Sequence, residues 1–129
     1  MRVFIALLAV STLGCGLTGP SESLEGHWLA NSGDRFTFLE LNLQQSGDEI
    51  TGTACESAVS GGLMFYSGVP VYGDYPDLQF TVSVSQTQPC CPVMAGSVFR
   101  GRQDSSKDIV GTYRGADIRF QRSDRTFCK

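Results

Sequence analysis

Apolar and polar residues alternate along most of this chain with the period of two that is typical of β-strands, and no segment shows a sustained helical period. The clearest example runs from Leu78 to Val84, where every second residue is apolar. Such an alternation places the apolar side chains on one face of a strand. The pattern predicts eight strands, over residues 27–30, 35–45, 49–56, 63–72, 78–84, 97–102, 108–114 and 117–122.

Short segments rich in Gly, Asp, Ser and Asn separate these strands and predict tight turns. Strands joined in series by tight turns form an antiparallel meander, and closure of such a meander removes its exposed edge strands. We therefore predict an all-β fold, a small eight-stranded up-and-down antiparallel barrel. Its predicted core comprises Trp28, Leu39, Leu41, Ile50, Phe65, Leu78, Phe80, Val82, Val84, Phe99, Ile109, Ile118 and Phe120.

The second predicted strand has an irregular pattern. Its apolar phase changes from Phe36 and Phe38 to Leu39, Leu41 and Leu43. A β-bulge shifts the phase of a strand in this way and bends it, as the corner of a small barrel requires. We interpret the change as a bulge or sharp bend near Phe38.

Alternating strand directions bring four predicted loops to one end of the barrel, over residues 31–34, 57–62, 86–96 and 115–116. This end carries the longest loop, and Leu63, Met64, Phe65 and Tyr66 lie near it. We predict that it is the mouth of a binding cup, with Met64, Phe65 and Tyr66 as candidate ligand contacts.

The N-terminus follows a different pattern. Arg2 precedes an apolar run from Val3 to Val10, and small residues then lead to Gly14 and Cys15. This order resembles a bacterial lipoprotein signal. The resemblance implies that residues 1–14 are a cleaved signal peptide and that Cys15 carries a lipid anchor. The alternative is an ordinary secretory signal that is cut nearby.

An anchored Cys15 implies an extracytoplasmic protein held on a bacterial membrane. Gly16 rather than Asp follows it, which favours the outer membrane where the host has two. The apolar stretch is far shorter than the roughly 20 residues of a membrane-spanning helix. Residues 15–24 are rich in Gly, Ser and Pro and are predicted to form a flexible tether, before a barrel domain over residues 25–129.

Four further cysteines, Cys55, Cys90, Cys91 and Cys128, form an even set, which in an exported chain predicts disulfides. Cys55 and the loop with Cys90 and Cys91 are predicted at the same barrel end. A bridge between adjacent cysteines is strained, so we predict that Cys55 pairs with Cys90 or Cys91 and Cys128 with the other. A zinc site is the alternative, but the spacing is not C-x-x-C. We predict no metal and no cofactor.

Charge and residue types argue against two functional classes. The formal net charge is −3 and the chain has no basic cluster, so we predict no binding to nucleic acid. His27 is the only histidine and the chain lacks a Gly-x-Ser-x-Gly motif, so no nucleophile has an evident base. We predict that the protein is not an enzyme.

Gly26-His27-Trp28 opens the first predicted strand and Arg122 ends the last one. With an eight-strand meander, these features resemble the calycin superfamily of lipocalins, fatty-acid-binding proteins and avidins. The resemblance implies that Trp28 closes one end of the barrel with Arg122 stacked on it.

Within that group, residues 26–59 are most similar to avidins, through Ile50-Thr51-Gly52-Thr53 and the segment after it. Biotin binding does not carry over, because Ala30 and Asp34 stand at the positions of two biotin-binding polar residues. Ser57 alone matches, and it joins the candidate ligand contacts.

Two functions follow from these observations. The first is a membrane-anchored binding module whose barrel holds a small, partly apolar ligand. The alternative is a module that interacts with another envelope protein, in the manner of small bacterial protease inhibitors of barrel design. In that case, the interior of the barrel is filled by its own side chains.

Overall fold

The computed structural model describes residues 23–31, 37–58 and 63–128. Eight antiparallel strands close into one barrel in chain order, which confirms the predicted fold class. The strands are β1 (Gly26–Asn31), β2 (Thr37–Ser46), β3 (Glu49–Ala58), β4 (Met64–Asp74), β5 (Asp77–Thr81), β6 (Val98–Ser105), β7 (Asp108–Tyr113) and β8 (Ala116–Arg122). Two short 3-10 helices, Val84–Gln86 and Pro92–Met94, lie between β5 and β6. The predicted signal peptide and Cys15 lie outside the described residues.

The barrel closes where β8 returns to β1. Trp28 of β1 pairs with Arg122, and Leu29 pairs with Gln121. These two pairs are few beside the ten that join β2 to β3. The closing seam is therefore short.

We define two ends of the barrel from the chain direction. The closed end contains the turns 47–48, 75–76 and 106–107, together with Ser23 to Glu25 where the chain enters β1. The open end contains the long segment 82–97 and the turn 114–115. The loops 32–36 and 59–62, which join strands at the open end, lie outside the described residues.

Inward-facing apolar side chains fill the barrel from the closed end to its middle. Phe99 packs against Phe80 at 5.4 Å and against Phe120 at 5.2 Å between ring centroids. Aromatic pairs at such distances add attraction to the burial of their surface. The buried members of the predicted core are Trp28, Leu39, Leu41, Ile50, Leu78, Phe80, Val82, Phe99, Ile109, Ile118 and Phe120.

Two residues of the predicted core differ from expectation. Phe65 is only partly buried against the core. Val84 is 71% exposed, so its assignment to the core is wrong. The strand ends at Thr81, and Ser83 then caps a short helix by exchanging hydrogen bonds with Gln86. This local capping turns the backbone away before the period-two pattern ends.

The bulge predicted near Phe38 is also wrong. β2 pairs with β3 without interruption from Thr37 to Ser46. Phe38 points outward, where its ring stacks on Phe127 at 4.8 Å between centroids. An outward aromatic residue covered by the C-terminal tail thus produced the apparent change of phase.

The irregularities lie instead between β3 and β4. The register shifts between Ala54 and Glu56, and again between Glu56 and Ser57. At the first shift, β4 has two residues, Ser67 and Gly68, opposite one residue of β3. Gly68 has a φ of 64°, a left-handed conformation that glycine adopts without steric cost. Bulges re-aim the side chains beside them, and these two flank Glu56.

The C-terminal tail, residues 123–128, leaves β8 and crosses the outer wall of the barrel. Ser123 donates its N–H to the carbonyl of His27 on β1, and Phe127 donates its N–H to Glu40 on β2. The tail ends at β3, where Cys128 is bonded to Cys55 with a Cα–Cα distance of 6.4 Å. Neighbouring strands are about 4.8 Å apart, so a tail of this length can cross them.

All four of these cysteines are in disulfides, but the predicted pairing is wrong. Cys55 bonds to Cys128, and Cys90 bonds to its neighbour Cys91. The prediction assumed that Cys55 ends β3 and faces the mouth. The strand continues to Ala58, and Cys55 faces outward beneath the tail. The Cys55–Cys128 bridge is therefore compatible with a barrel of eight strands.

Ser23 and Leu24, assigned by sequence to the tether, contact the barrel. Leu24 is fully buried, and its carbonyl accepts a hydrogen bond from the Trp28 indole at 2.8 Å. None of the helices in the described part of the chain reaches the length and apolarity of a membrane span.

Candidate functional site

A polar cluster interrupts the apolar interior near the open end of the barrel. It consists of Glu56 of β3, Tyr66 of β4 and Tyr113 of β7, each at least 97% buried. Alternate residues of β3 face the interior of the barrel, and Glu56 lies on the same inward face as Ile50 and Ala54. The bulges of β4 place Tyr66 opposite Glu56. An ionisable side chain this deeply buried requires hydrogen-bond partners.

The hydroxyl of Tyr113 donates to Oε2 of Glu56 at 2.7 Å. The oxygens of Tyr66 and Tyr113 are 2.8 Å apart, and either could donate. Because the proton of Tyr113 is directed at the carboxylate, Tyr66 must be the donor to Tyr113. The chain of donors therefore ends at the carboxylate of Glu56, which accepts.

Both phenols keep their protons over the neutral range. Burial is the main cause that raises the pKa of Tyr66 and of Tyr113 well above the ordinary value of 10.0. The nearby Glu56 carboxylate acts in the same direction for both, because a second negative charge would be repelled. The pair therefore acts as hydrogen-bond donors at neutral pH and not as bases.

A pocket of about 330 Å³ opens above this cluster. Glu56 and Tyr113 contribute its polar surface, and Phe65 and Met94 contribute apolar surface. Its wall is completed by Thr37, Arg114 and Ala116. The site thus combines a deeply placed carboxylate with apolar sides, the composition expected of a small-molecule site.

Arg114 is held at the rim of this pocket by an unusual backbone conformation. It has a φ of 52° and is the non-glycine residue with positive φ among the described residues. With Gly115 at 81° it forms the two-residue turn between β7 and β8, where positive φ is required at both positions. Its Nη1 is 3.4 Å from Sδ of Met94. The turn therefore places the exposed Arg114 among the residues that line the pocket.

The four predicted ligand contacts do not share one location in the structure. Phe65 lines the pocket, and Tyr66 belongs to the polar cluster beneath it. The carbonyl of Met64 contacts Sγ of Cys90 at 3.8 Å. The hydroxyl of Ser57 is buried and has no hydrogen-bond partner among the described residues, and Ser57 pairs with Phe38, whose ring is on the outer wall.

Glu56 and Tyr113 were missed as site residues by the sequence analysis. Both residues lie on the inward face of their strands: Glu56 shares that face with Ala54 on β3, and Tyr113 shares it with Ile109 on β7. A charged residue on the buried phase of a strand is rare unless it has partners. That signal was present in the sequence, but the partner residues are 47 and 57 positions from Tyr113 and cannot be paired by spacing.

The closed end has a different chemistry. The Arg122 guanidinium carbon lies 4.3 Å from the centroid of the buried Trp28 ring. Its Nη1 donates to the carbonyl of Glu25 at 2.8 Å, Nη2 donates to the carbonyl of Ser23, and Nε donates to the carbonyl of Ser106 at 3.1 Å. Arg122 thus joins the entering chain and the β6–β7 turn across this end, above the aromatic ring.

Comparison with protein-family models, with curated proteins and with solved structures finds no significant match to this chain.

Proposed function

We propose that this chain is a membrane-anchored extracytoplasmic lipoprotein whose barrel binds a small, partly apolar molecule without catalysis. The ligand would enter the open-end pocket and place a hydrogen-bond donor, preferably a protonated amine, on Glu56. The anchor would be the lipid on Cys15. The observation that carries the proposal is the buried carboxylate at the base of an apolar-walled pocket.

With the partners that the described residues provide, the Glu56 carboxylate has capacity for a further donor. A carboxylate has about four lone-pair sites, and the hydroxyl of Tyr113 occupies one on Oε2. A cation in this pocket would pair with Glu56 in surroundings that water screens poorly, which strengthens the attraction. Phe65 and Met94 offer apolar contact to the rest of the molecule.

The charges of the pocket also favour one orientation of a bound ligand. The negative charge of Glu56 is at the base, and the positive charge of Arg114 is at the rim. An amine that enters head first therefore moves away from the guanidinium as it approaches the carboxylate. A carboxylic acid of the same length would meet repulsion at the base.

The test is a titration of the full chain with n-hexylamine, n-hexanol and n-hexanoate, followed by amide NMR. We expect hexylamine to shift the amides of Phe65, Met94 and Tyr113 and to leave those of the closed end unchanged. Glu56→Gln should weaken hexylamine binding about tenfold or more, as loss of a charge-assisted hydrogen bond does. The matched control is Glu49→Gln, an exposed carboxylate at the closed end of the same strand. Unshifted pocket amides at millimolar hexylamine would contradict the proposal.

The second candidate is the envelope protein-interaction module. Two observations favour it: side chains fill the barrel from the closed end to its middle, and Val93 in the long open-end segment is 80% exposed. This candidate predicts that all three probes leave the pocket amides unshifted. It also predicts that Val93→Asp abolishes binding to an envelope protein partner while leaving the far-UV circular dichroism spectrum unchanged.

A further inference from the structure

A second cluster of chemically reactive side chains lies on the outer wall of the barrel, away from the pocket. Glu40 of β2 and Cys55 of β3 are directly paired, and His27 of β1 is diagonal to Glu40. The tail brings Cys128 over them. Ligand atoms of Glu40, Cys55 and Cys128 lie within 4.8 Å of one another.

Glu40 is the centre of this cluster and is only 4% exposed. Its Oε2 accepts the backbone N–H groups of Phe127 and Cys128 at 2.8 and 3.0 Å. Its Oε1 lies 3.5 Å from Nε2 of His27. The tail therefore fixes the carboxylate in place and leaves Oε1 directed toward the imidazole.

We propose that this cluster is a zinc site when the Cys55–Cys128 bridge is reduced. The ligands would be the two thiolates, Oε1 of Glu40 and Nε2 of His27. Two thiolates, an imidazole and a carboxylate form a donor set that zinc accepts in tetrahedral geometry. A newly made chain carries both cysteines as thiols, and a dithiol reductant returns the bridge to that state.

The chemistry balances in two steps. Reduction breaks the S–S bond with two electrons and two protons from a dithiol, which becomes its own disulfide. Zinc then binds both sulfurs and releases the two thiol protons to solvent. The ion replaces the covalent bond as the link between the tail and β3.

The geometry is compatible with this exchange. Tetrahedral zinc with ligands at about 2.0–2.3 Å places its donor atoms about 3.3–3.8 Å apart. The two sulfurs must therefore separate by about 2 Å from their bonded distance. The cluster borders a groove of about 420 Å³ that also includes Asn42, Thr53 and Thr126, so the wall has room for this movement.

The second disulfide serves as an internal contrast. Cys90 and Cys91 are adjacent, with a Cα–Cα distance of 3.8 Å. They belong to no cluster of potential ligands among the described residues. We therefore expect the zinc site to depend on Cys55 and Cys128 alone.

The test uses the Cys90→Ser/Cys91→Ser variant of the full chain, so that only one pair of cysteines can bind metal near the barrel. The protein is reduced with a phosphine, freed of reductant without oxygen, and titrated with Co²⁺. We expect one Co²⁺ per chain with thiolate charge-transfer bands and the visible bands of tetrahedral cobalt, and displacement by Zn²⁺. Adding Cys55→Ser should abolish the bands.

Two further variants test the other ligands. His27→Ala and Glu40→Gln should each weaken Co²⁺ binding about tenfold or more. Glu49→Gln should leave it unchanged, and the oxidised protein should show no thiolate bands. If the reduced protein loses its β-sheet circular dichroism spectrum, Zn²⁺ should restore that spectrum. Absence of thiolate bands in a folded reduced protein, failure of Zn²⁺ to restore a lost fold, or unchanged affinity in both ligand variants would each overturn the proposal.

Discussion

The two ends of this barrel hold a charged side chain in opposite ways, exposed at the closed end and buried at the open end. At the closed end, the Arg122 charge lies over an aromatic face and donates to carbonyls of Ser23, Glu25 and Ser106. At the open end, the Glu56 charge accepts from a phenol and borders a pocket. A charge that already has several partners is structural, whereas one with spare capacity beside a pocket can bind something else.

This contrast predicts that stability and binding separate along the barrel axis. Changes at the closed end should lower the free energy of unfolding and leave the affinity for hexylamine unchanged. Changes at the open end should alter affinity at a smaller cost in stability. The four predictions below test that separation, beginning with the largest expected effect.

Trp28→Ala should lower the free energy of unfolding by about 3–5 kcal/mol, because it removes a fully buried ring from the closed end. The measurement is equilibrium denaturation in urea. The matched change at the open end, Tyr113→Phe, removes one hydroxyl and should cost about 1–3 kcal/mol. An equal cost for both variants would remove the distinction between the two ends.

The two disulfides should differ in the same experiment. Removal of the Cys55–Cys128 bridge with a double Ser variant should cost about 2–4 kcal/mol, because this bridge closes a long loop in the unfolded chain. Removal of the Cys90–Cys91 bridge should cost less than about 1 kcal/mol, since adjacent residues enclose almost no loop. The reverse order would show that the loop-entropy argument fails here.

Alkaline pH should destabilise the open end. Burial raises the pKa of Tyr66 and Tyr113 above 10.0, so the folded state keeps protons that the unfolded state loses. Their contribution is complete below about pH 10 and decreases as the pH rises toward the folded pKa values. The slope should reach at most about 1.4 kcal/mol per pH unit for each tyrosine.

Tyr66→Phe and Tyr113→Phe should each reduce this alkaline slope. The measurement is urea denaturation at a series of pH values, with Tyr72→Phe as the control because Tyr72 is half exposed. A slope that is the same in all three variants would contradict the assignment of the effect to the buried pair.

Arg114→Asn should stabilise the protein by about 0.5–1 kcal/mol, the smallest effect. The left-handed conformation at this turn position suits Asn far better than Arg, and Asn before Gly115 is the preferred sequence for such a turn. Thermal denaturation measures the gain. Unchanged or lower stability would mean that the contact of Arg114 with Met94 outweighs the backbone cost.

The order of strands could be predicted from the sequence because the period-two pattern and the turn residues are local signals. Each of the eight strands was placed within a few residues of its position. The errors occurred where a segment distant in sequence packs against a strand and buries residues on its outer face. The pattern around Phe38 was interpreted as a bulge because Phe127, whose ring covers the outward Phe38 side chain, is 89 residues away in the chain.

The candidate site was less accessible to sequence analysis. The long segment 86–96 and the turn at 115–116 were assigned to the same end of the barrel, because strand direction follows from strand count. The carboxylate at that end was not identified, because its role depends on bulges in β4 that place Tyr66 opposite Glu56. Likewise, the Cys55–Cys128 bridge depends on a tail that crosses β1 and β2 to reach β3, which no spacing rule describes.

The tail has a mechanical consequence. Residues 55–128 and the bridge between Cys55 and Cys128 form a covalent ring, and its tail portion passes outside β1 and β2. The tail portion is a strap over the outer face of the β1–β2 hairpin, which forms this part of the barrel wall. A force applied through the N-terminal segment cannot peel this hairpin sideways, because the strap blocks that route. Such a load must instead shear the hairpin lengthwise against β3, where ten residue pairs resist together.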